Sequence, residues 1–451
     1  MPTYLDIGAV RIQSYLARTQ PLKARRGASA ALSEATGQRE LRRLGAELNP
    51  EAGEADGTVH LIVPDGGSAE DLGLRVMIHL RERLPAAEFQ AAWGDGPDYV
   101  SAYEDEIRPR FERGDVLVSL PPRYEFPATR NCETCGQHPV ETTISVDGEV
   151  KGICADCGIR FGAAGHRRLG TGAGTTSEDR LLCALGRAAA DRVDSFDQLA
   201  RLGSRKQNHL ATVYIDGNAV GDFFGRLLAA GSPHKAELSR GFAEATWTAL
   251  AQAAGAIPDQ PLPVIPHVVG GDDVLASVTA EFALTFVRTY LTTFTSTLRE
   301  CVKEHAAELV DQTPTASAGV VFAHATYPFD RCVHVAEGLL RRAKRRDRGR
   351  SPSLLWVDVT REGESPPPER RAWTLDEIAG REDDLAELAG LGKSARASLH
   401  AAVSHRDDQV AAALALRWAR RNQQLEVVTG LLGTPADAQI LRDALDLTHW
   451  W

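Results

Sequence analysis

Three carboxylates and two pairs of cysteines are the residues of this chain whose types and spacing could do chemistry. Gly270-Gly271-Asp272-Asp273 lies between two apolar runs, Leu262 to Val269 and Val274 to Val278, which puts its glycines and vicinal carboxylates at a hairpin tip. Adjacent aspartates repel each other and need a cation, and hard oxygen donors of this kind suit Mg²⁺ or Mn²⁺ holding a nucleoside triphosphate. Taken alone, the same four residues also make an ordinary polar turn. Asp216 ends a second apolar run, His209 to Ile215, and Gly217-Asn218-Ala219-Val220-Gly221 follows it. Gly217 and Gly221 leave backbone amides free to meet phosphate oxygens at a helix start. If Asp216, Asp272 and Asp273 converge on one sheet edge, they form the set that two-metal nucleotidyl transfer needs, with metals roughly 4 Å apart. The basic run ending the helical pattern Val335 to Arg346, which includes Lys344, reads either as a solvated face or as a cation for the phosphates.

The cysteines point to a second metal. Cys132-Glu133-Thr134-Cys135 is followed by eighteen residues (136–153) and then by Cys154-Ala155-Asp156-Cys157. This spacing matches a structural zinc ribbon, in which four thiolates close a tetrahedral Zn²⁺ site and leave no open position for catalysis. Cys183, Cys301 and Cys332 fall in apolar helical patterns and read as core residues. Gly170-Thr171-Gly172-Ala173-Gly174 reads as part of a flexible connector, since no strand precedes it and no Lys-Ser/Thr follows as a P-loop requires.

With 451 residues, 43% apolar and 25% charged, the chain has the length and composition of about three globular domains. A net charge of −10 excludes the basic surface of a free nucleic-acid binder, so any polyanion must bind locally. With neither a basic-then-apolar leader nor an apolar run of bilayer length, the expected location is cytoplasmic.

The elements that must position these residues follow one order twice. Strands at 4–10, 57–64, 88–93 and 116–118, with helical stretches at 11–48, 69–84 and 99–113, suggest a first ferredoxin-like α+β unit. A helix over 178–202 leads to the strand ending at Asp216. Helices from 222 and over 235–252, the 270–273 hairpin, a helix over 281–309, a strand over 316–323, a helix over 329–346 and a strand over 353–357 complete a second unit. Residues 362–369 are polar and proline-rich and read as a linker. Beyond them, 375–451 has helical periodicity and no catalytic constellation. The terminal His449-Trp450-Trp451 reads as an aromatic end docked on the preceding unit or on a partner.

With these parts assembled, the sequence resembles the large polymerase/cyclase subunit of type III CRISPR effector complexes, and more distantly the GGDEF cyclases. The likeness rests on Leu5 to Leu16, the cysteine ribbon, Ile215 to Asn218 with Gly270 to Asp273, and Ser317 to His324 followed by Tyr327-Pro328 and Ala343-Lys344. It implies a first, degenerate palm domain (1–125), a zinc ribbon (126–164), a connector with helices (165–205), a second palm with the GGDD site (206–360), a linker (361–370) and a C-terminal helical domain (371–451). It makes Asp216, Asp272 and Asp273 the catalytic metal ligands and Lys344 the triphosphate contact, with Gly270 and Gly271 near the nucleotide and Asn218 or Ser317 at ribose or base. Asp6 is expected where Asp216 sits, with the first palm's hairpin region near Val63 to Gly67.

The function so implied is an ATP-dependent nucleotidyltransferase making cyclic oligoadenylate messengers for antiviral defence, with two Mg²⁺ or Mn²⁺ ions and a structural zinc. Guide or target RNA, other effector subunits or a homodimer are the implied partners. Two alternatives stay open: a free-standing cyclase making a cyclic dinucleotide or mononucleotide, and a non-catalytic scaffold of a CRISPR ribonucleoprotein. Since the chain starts at the first palm and lacks a His-Asp doublet, no nuclease domain is expected.

Overall fold

In a computed structural model the described residues are 1–19, 21–50, 52, 57–121, 129–146, 148–168, 176–188, 191–204, 208–230, 234–258, 261–432 and 438–451. The Gly170 to Gly174 connector lies outside them.

The first unit runs β1 (Thr3–Val10), α1 (Ile12–Ala17), α2 (Leu22–Ala35), α3 (Gln38–Arg43), β2 (Glu47–Leu48), β3 (Thr58–Val63), α4 (Ala69–Arg83), β4 (Glu88–Asp95), α5 (Tyr99–Ala102), α6 (Arg108–Arg113) and β5 (Leu117–Ser119). Its sheet order is β2-β3-β1-β4-β5, antiparallel throughout. In β3 the apolar residues alternate, so Val59, Leu61 and Val63 turn toward the helices while His60 turns away. Ser68 caps α4 by accepting from the Asp71 amide at 3.2 Å. The expected strand–helix order holds with one correction. The antiparallel pair that corresponds to the hairpin is β2 with β3, whereas 64–68 connects β3 to α4.

The cysteine segment forms the hairpin β6 (Thr142–Val146) and β7 (Glu149–Ile153) and then α7 (Ala155–Arg168). It is tied to the first unit by the Arg18–Asp156 ion pair at 2.7 Å and by the Arg160 guanidinium donating to the Tyr15 carbonyl at 2.8 Å. The helix expected over 178–202 is instead α8 (Ser177–Ala184) and α9 (Phe196–Arg201), each started by its own side-chain cap, Thr176 and Ser195.

The second unit contains β8 (His209–Gly217), α10 (Val220–Ala229), α11 (Lys235–Gly255), β9 (Val264–Gly270), β10 (Asp273–Thr279), α12 (Ala283–His305), β11 (Ala316–His324), α13 (Phe329–Lys344), β12 (Ser353–Asp358), α14 (Val359–Glu362) and β13 (Trp373–Thr374). Its sheet order is β13-β12-β11-β8-β10-β9. Among the described strands of this sheet only β11 and β12 pair in parallel, because α13 crosses between them. Ala211, Val213 and Ile215 pack with α11 and α12 on one face. On the other face Tyr214, Leu275 and Val321 share a continuous core with α13 and with α2, α4 and β1 of the first unit. Burial on both faces is why β8 reads as an unbroken apolar run.

The chain ends in α15 (Leu375–Ala379), α16 (Glu382–Gly390), α17 (Lys393–Val403), α18 (Asp408–Asn422), α19 (Leu425–Leu432) and α20 (Gln439–Leu447). Trp450 docks on the second unit as expected, stacked on Phe322 with centroids 4.6 Å apart and planes 3° from parallel. Residues 361–370, expected as a linker, are held down. The buried Arg370 donates to Glu362 at 2.7 and 2.8 Å, to Asp443 at 3.4 Å and to Asp446, so α14 and α20 meet on one guanidinium. Among the described residues no helix is long and apolar enough to cross a membrane.

Candidate nucleotide and metal site

Strand pairing brings the three predicted carboxylates together. Asp273 pairs with Gly270 across a two-residue turn, and Gly271 takes φ +59°, the left-handed conformation that a primed hairpin turn with glycine in first place requires. The turn is held from behind by Thr246 on α11, whose hydroxyl donates to the Gly271 carbonyl at 2.8 Å. Val274 pairs with Ile215, so continuing the register by one residue sets Asp216 opposite Asp273. Gly217 makes the approach of Asp272 possible. A Cβ there would stand 2.6 Å from Val220 Cγ2 and 3.1 Å from Asp272 Cβ, and would overlap the Asp272 carboxylate itself.

Lys344, the last residue of α13, reaches this cluster. Its Nζ pairs with the Asp216 carboxylate and donates to the Gly217 carbonyl at 2.7 Å. One cation thus faces three carboxylates. Burial, and then the Asp216 charge, pushes Asp272 up to about 6 and Asp273 up to about 9. Asp273 Oδ1 is buried with no hydrogen-bond partner among the described residues. These hard oxygen donors, short of positive charge and with an acceptor to spare, fit a divalent cation.

The remaining predicted contacts separate. Gly221 sits in the first turn of α10 with open space where a Cβ would go. Asn218 is buried: its amide donates to the Thr315 carbonyl at 2.7 Å and its Nδ2 to Thr315 Oγ1 at 2.8 Å, which fixes the β8–α10 corner from beneath. Ser317 is fully buried against Ser353 at 3.1 Å, under the α13 crossover, so it packs the sheet instead of facing a ribose or base. Thr246 and Thr315 were not legible as site residues, because their roles depend on helix and strand packing that no local pattern encodes.

Among the described residues the first unit does not repeat the cluster, and Asp6 is not the counterpart of Asp216. Each unit's first strand leads to its helix through a non-glycine residue in left-handed conformation, Arg11 (φ 54°) and Ala219 (φ 55°). Three residues before them stand Gly8 and Asp216. Strand register agrees, since Gly8 lies opposite Thr58, the first residue of β3, as Asp216 lies opposite the first residue of β10. Asp6 therefore matches Tyr214. It is buried, accepting from Tyr99 Oη at 2.7 Å and lying 2.8 Å from His60 Nδ1.

The four paired cysteines converge, with their sulfurs within 4.8 Å of one another and Cys135 Sγ 3.8 Å from Cys154 Sγ. A tetrahedral site with metal–sulfur bonds of about 2.3 Å has edges of roughly 3.8 Å. A turn positions the first pair, the Gly136 amide donating to the Cys132 carbonyl at 2.8 Å, and the first turn of α7 positions the second, the Gly158 amide donating to the Cys154 carbonyl at 2.9 Å. The donor set and its spacing fit a metal. Of the other cysteines, Cys332 is buried, Cys301 half-buried and Cys183 exposed, so the core reading fails for Cys183.

Residues 209–351 carry most of the second unit's sheet and the carboxylate hairpin. They match the family described as Cas10/Cmr2, second palm domain. The whole chain is similar in fold to three solved structures. It matches Csm1 in a Csm1-Csm4 cassette in complex with cA4 with a TM-score of 0.61 at 14% identity, Csm1 in T. onnurineus with 0.58 at 15%, and the Csm1-Csm4 subcomplex in the type III-A CRISPR-Csm interference complex with 0.57 at 15%. Each covers 100% of this chain and 69% of the solved one. No curated protein matches the sequence. The chain is thus similar in fold to these Csm1 structures, and its residues 209–351 match the Cas10/Cmr2 second palm family.

Proposed function

We propose that this protein is a metal-dependent nucleotidyltransferase that converts ATP into cyclic oligoadenylate and pyrophosphate, as the catalytic subunit of a type III CRISPR effector. The observation that carries the reading is the cluster itself: Lys344 pairs with Asp216 beside Asp272 and Asp273, and among the described residues Asp273 presents a buried oxygen with no partner. A scaffold has no physical need to bury like charges together. The cA4 complex of a protein of similar fold agrees with the product class.

In this reading Asp216, Asp272 and Asp273 hold Mg²⁺ or Mn²⁺. Such a cation lowers the pKa of an attacking ribose hydroxyl and neutralises a triphosphate. Lys344 exchanges its pairing with Asp216 for the triphosphate, where its point charge offsets the negative charge growing on departing pyrophosphate. Gly270, Gly271, Gly217 and Gly221 give the nucleotide close access to the backbone. Cys132, Cys135, Cys154 and Cys157 hold structural zinc. The degenerate first palm (1–125), with Gly8 at the aspartate position, braces the active palm (206–360), and the ribbon (126–164), connector (165–205), tethered segment (361–370) and helical domain (371–451) complete the division. Partners are guide and target RNA and a Csm4-like subunit.

The test is chromatography of products from the purified chain incubated with each triphosphate and Mg²⁺ or Mn²⁺, alone and with RNA and partner subunits. Cyclic oligoadenylate that disappears in Asp273→Asn is expected. No product from any triphosphate under any of these conditions refutes the proposal.

A further inference from the structure

Arg25, on α2, is buried to 3% exposure where the first unit meets the second. Its guanidinium lies over Phe329 at 3.9 Å and near Phe196 at 4.7 Å, and its Nε donates to the Thr19 carbonyl at 2.6 Å. The other edge, Nη1 and Nη2, is buried and has no partner among the described residues. Arg25 lines a cavity together with Arg26, Ser29, Glu178, His267 and Leu275. Arg26 is already paired there with Glu178, at 2.6 and 2.8 Å, and His267, held neutral by burial and by the Arg25 and Arg26 charges, is engaged with Ser277 at 2.8 Å. The exposed Asp330, at the start of α13, acts on Arg25 through its charge alone, and among the described residues no carboxylate accepts from the Arg25 fork, although a buried guanidinium without an acceptor is costly.

We propose that this cavity is a binding site for one small inorganic anion, phosphate-sized at most, held by the Nη1–Nη2 edge of Arg25 with Ser29 as a neighbouring hydroxyl. The parallel N–H groups of a guanidinium are spaced for such an acceptor. The site touches β9 and β10 through His267 and Leu275, so its occupant joins the first unit to the strands that carry the 270–273 turn. It is independent of the proposed catalysis and needs no divalent cation.

The experiment is thermal melting of the full chain in chelator at constant ionic strength, with chloride or phosphate replacing a bulky organic anion. A saturable rise in Tm with either ion is expected, unchanged in Lys344→Ala and absent in Arg25→Met, whose apolar side chain keeps the contact with Phe329. A Tm independent of both ions, or a rise retained in Arg25→Met, overturns the proposal. Should Arg25→Met fail to fold, bromide-soaked crystals of the unaltered chain decide: an anomalous peak within hydrogen-bond reach of the Arg25 Nη atoms supports the site, and none there overturns it.

Discussion

Gly217→Ala tests whether the cluster depends on the contact read from the backbone. The new methyl would lie 2.6 Å from Val220 Cγ2 and 3.1 Å from Asp272 Cβ, where carbon atoms settle at about 3.5–4.0 Å, so the neighbours must yield by roughly 1 Å. Overpacking of this size costs about 1–3 kcal/mol. Asp272 lies on the side that must move, and a 1 Å misplacement of a catalytic group costs about 100-fold in rate. Gly221→Ala is the matched control, because nothing lies within 4 Å of its Cβ position and alanine in a helix is favoured by about 0.5–1 kcal/mol. Melting temperature and cyclic product yield are measured on both variants. The expected pattern is a lower Tm and a loss of about 100-fold for Gly217→Ala, against a Tm equal or higher for Gly221→Ala. Gly221→Ala serves as the control in Tm alone, since reduced activity in a stable Gly221→Ala agrees with the nucleotide access proposed for that glycine. A Gly217→Ala protein with unaltered Tm and activity within twofold of the parent refutes the crowding argument.

Asp273→Asn should lower turnover by at least about 100–1,000-fold with the fold intact, as loss of a principal electrostatic group does. It should also change the pH dependence of stability. The Asp272 and Asp273 values of about 6 and 9 are raised above the ordinary carboxylate value. Their stabilising contribution is therefore complete below the ordinary carboxylate value of about 4 and is lost as pH rises from there through about 6 for Asp272 and about 9 for Asp273, by at most about 1.4 kcal/mol per pH unit for each group titrating. In chelator the parent should lose more Tm across that range than Asp273→Asn does, and Mg²⁺ should restore it; parallel curves would contradict the assignment. Elemental analysis should find about one zinc per chain, and Cys154→Ser should melt at lower temperature, because structural zinc contributes directly to folding; a metal-free protein of undiminished stability would exclude the ribbon's metal. Arg370→Ala should cost about 3–5 kcal/mol by leaving Glu362, Asp443 and Asp446 without their shared cation, and urea titration showing under 1 kcal/mol would contradict the clamp.

What was legible in the sequence was local. The cysteine pairs and the Gly270 to Asp273 turn announce themselves because a few adjacent residues fix both geometry and chemistry. The β8 run, apolar on both faces, marked the strand that delivers Asp216. Lys344 was identified through family likeness, since a basic run at a helix end gives no sign of which residue will face the carboxylates. The first unit misled where matching one aspartate to another replaced matching of backbone conformation: Arg11 and Ala219, not Asp6 and Asp216, are the corresponding landmarks. The two-residue strand β2 has too little length for alternation to register. Asn218 and Ser317 looked available to substrate, but the parallel crossover through α13 and the β11 pairing bury them, a tertiary outcome absent from any local pattern.

The stacking of Trp450 on Phe322 joins residues separated by ~128 positions. At typical synthesis rates of about 5–20 residues per second, roughly 6 to 25 s pass between making the first ring and making the second. Throughout that interval the nascent second unit carries an uncovered aromatic face. The Trp450 ring, just past α20, therefore covers the Phe322 face only after every strand of the second sheet has been made.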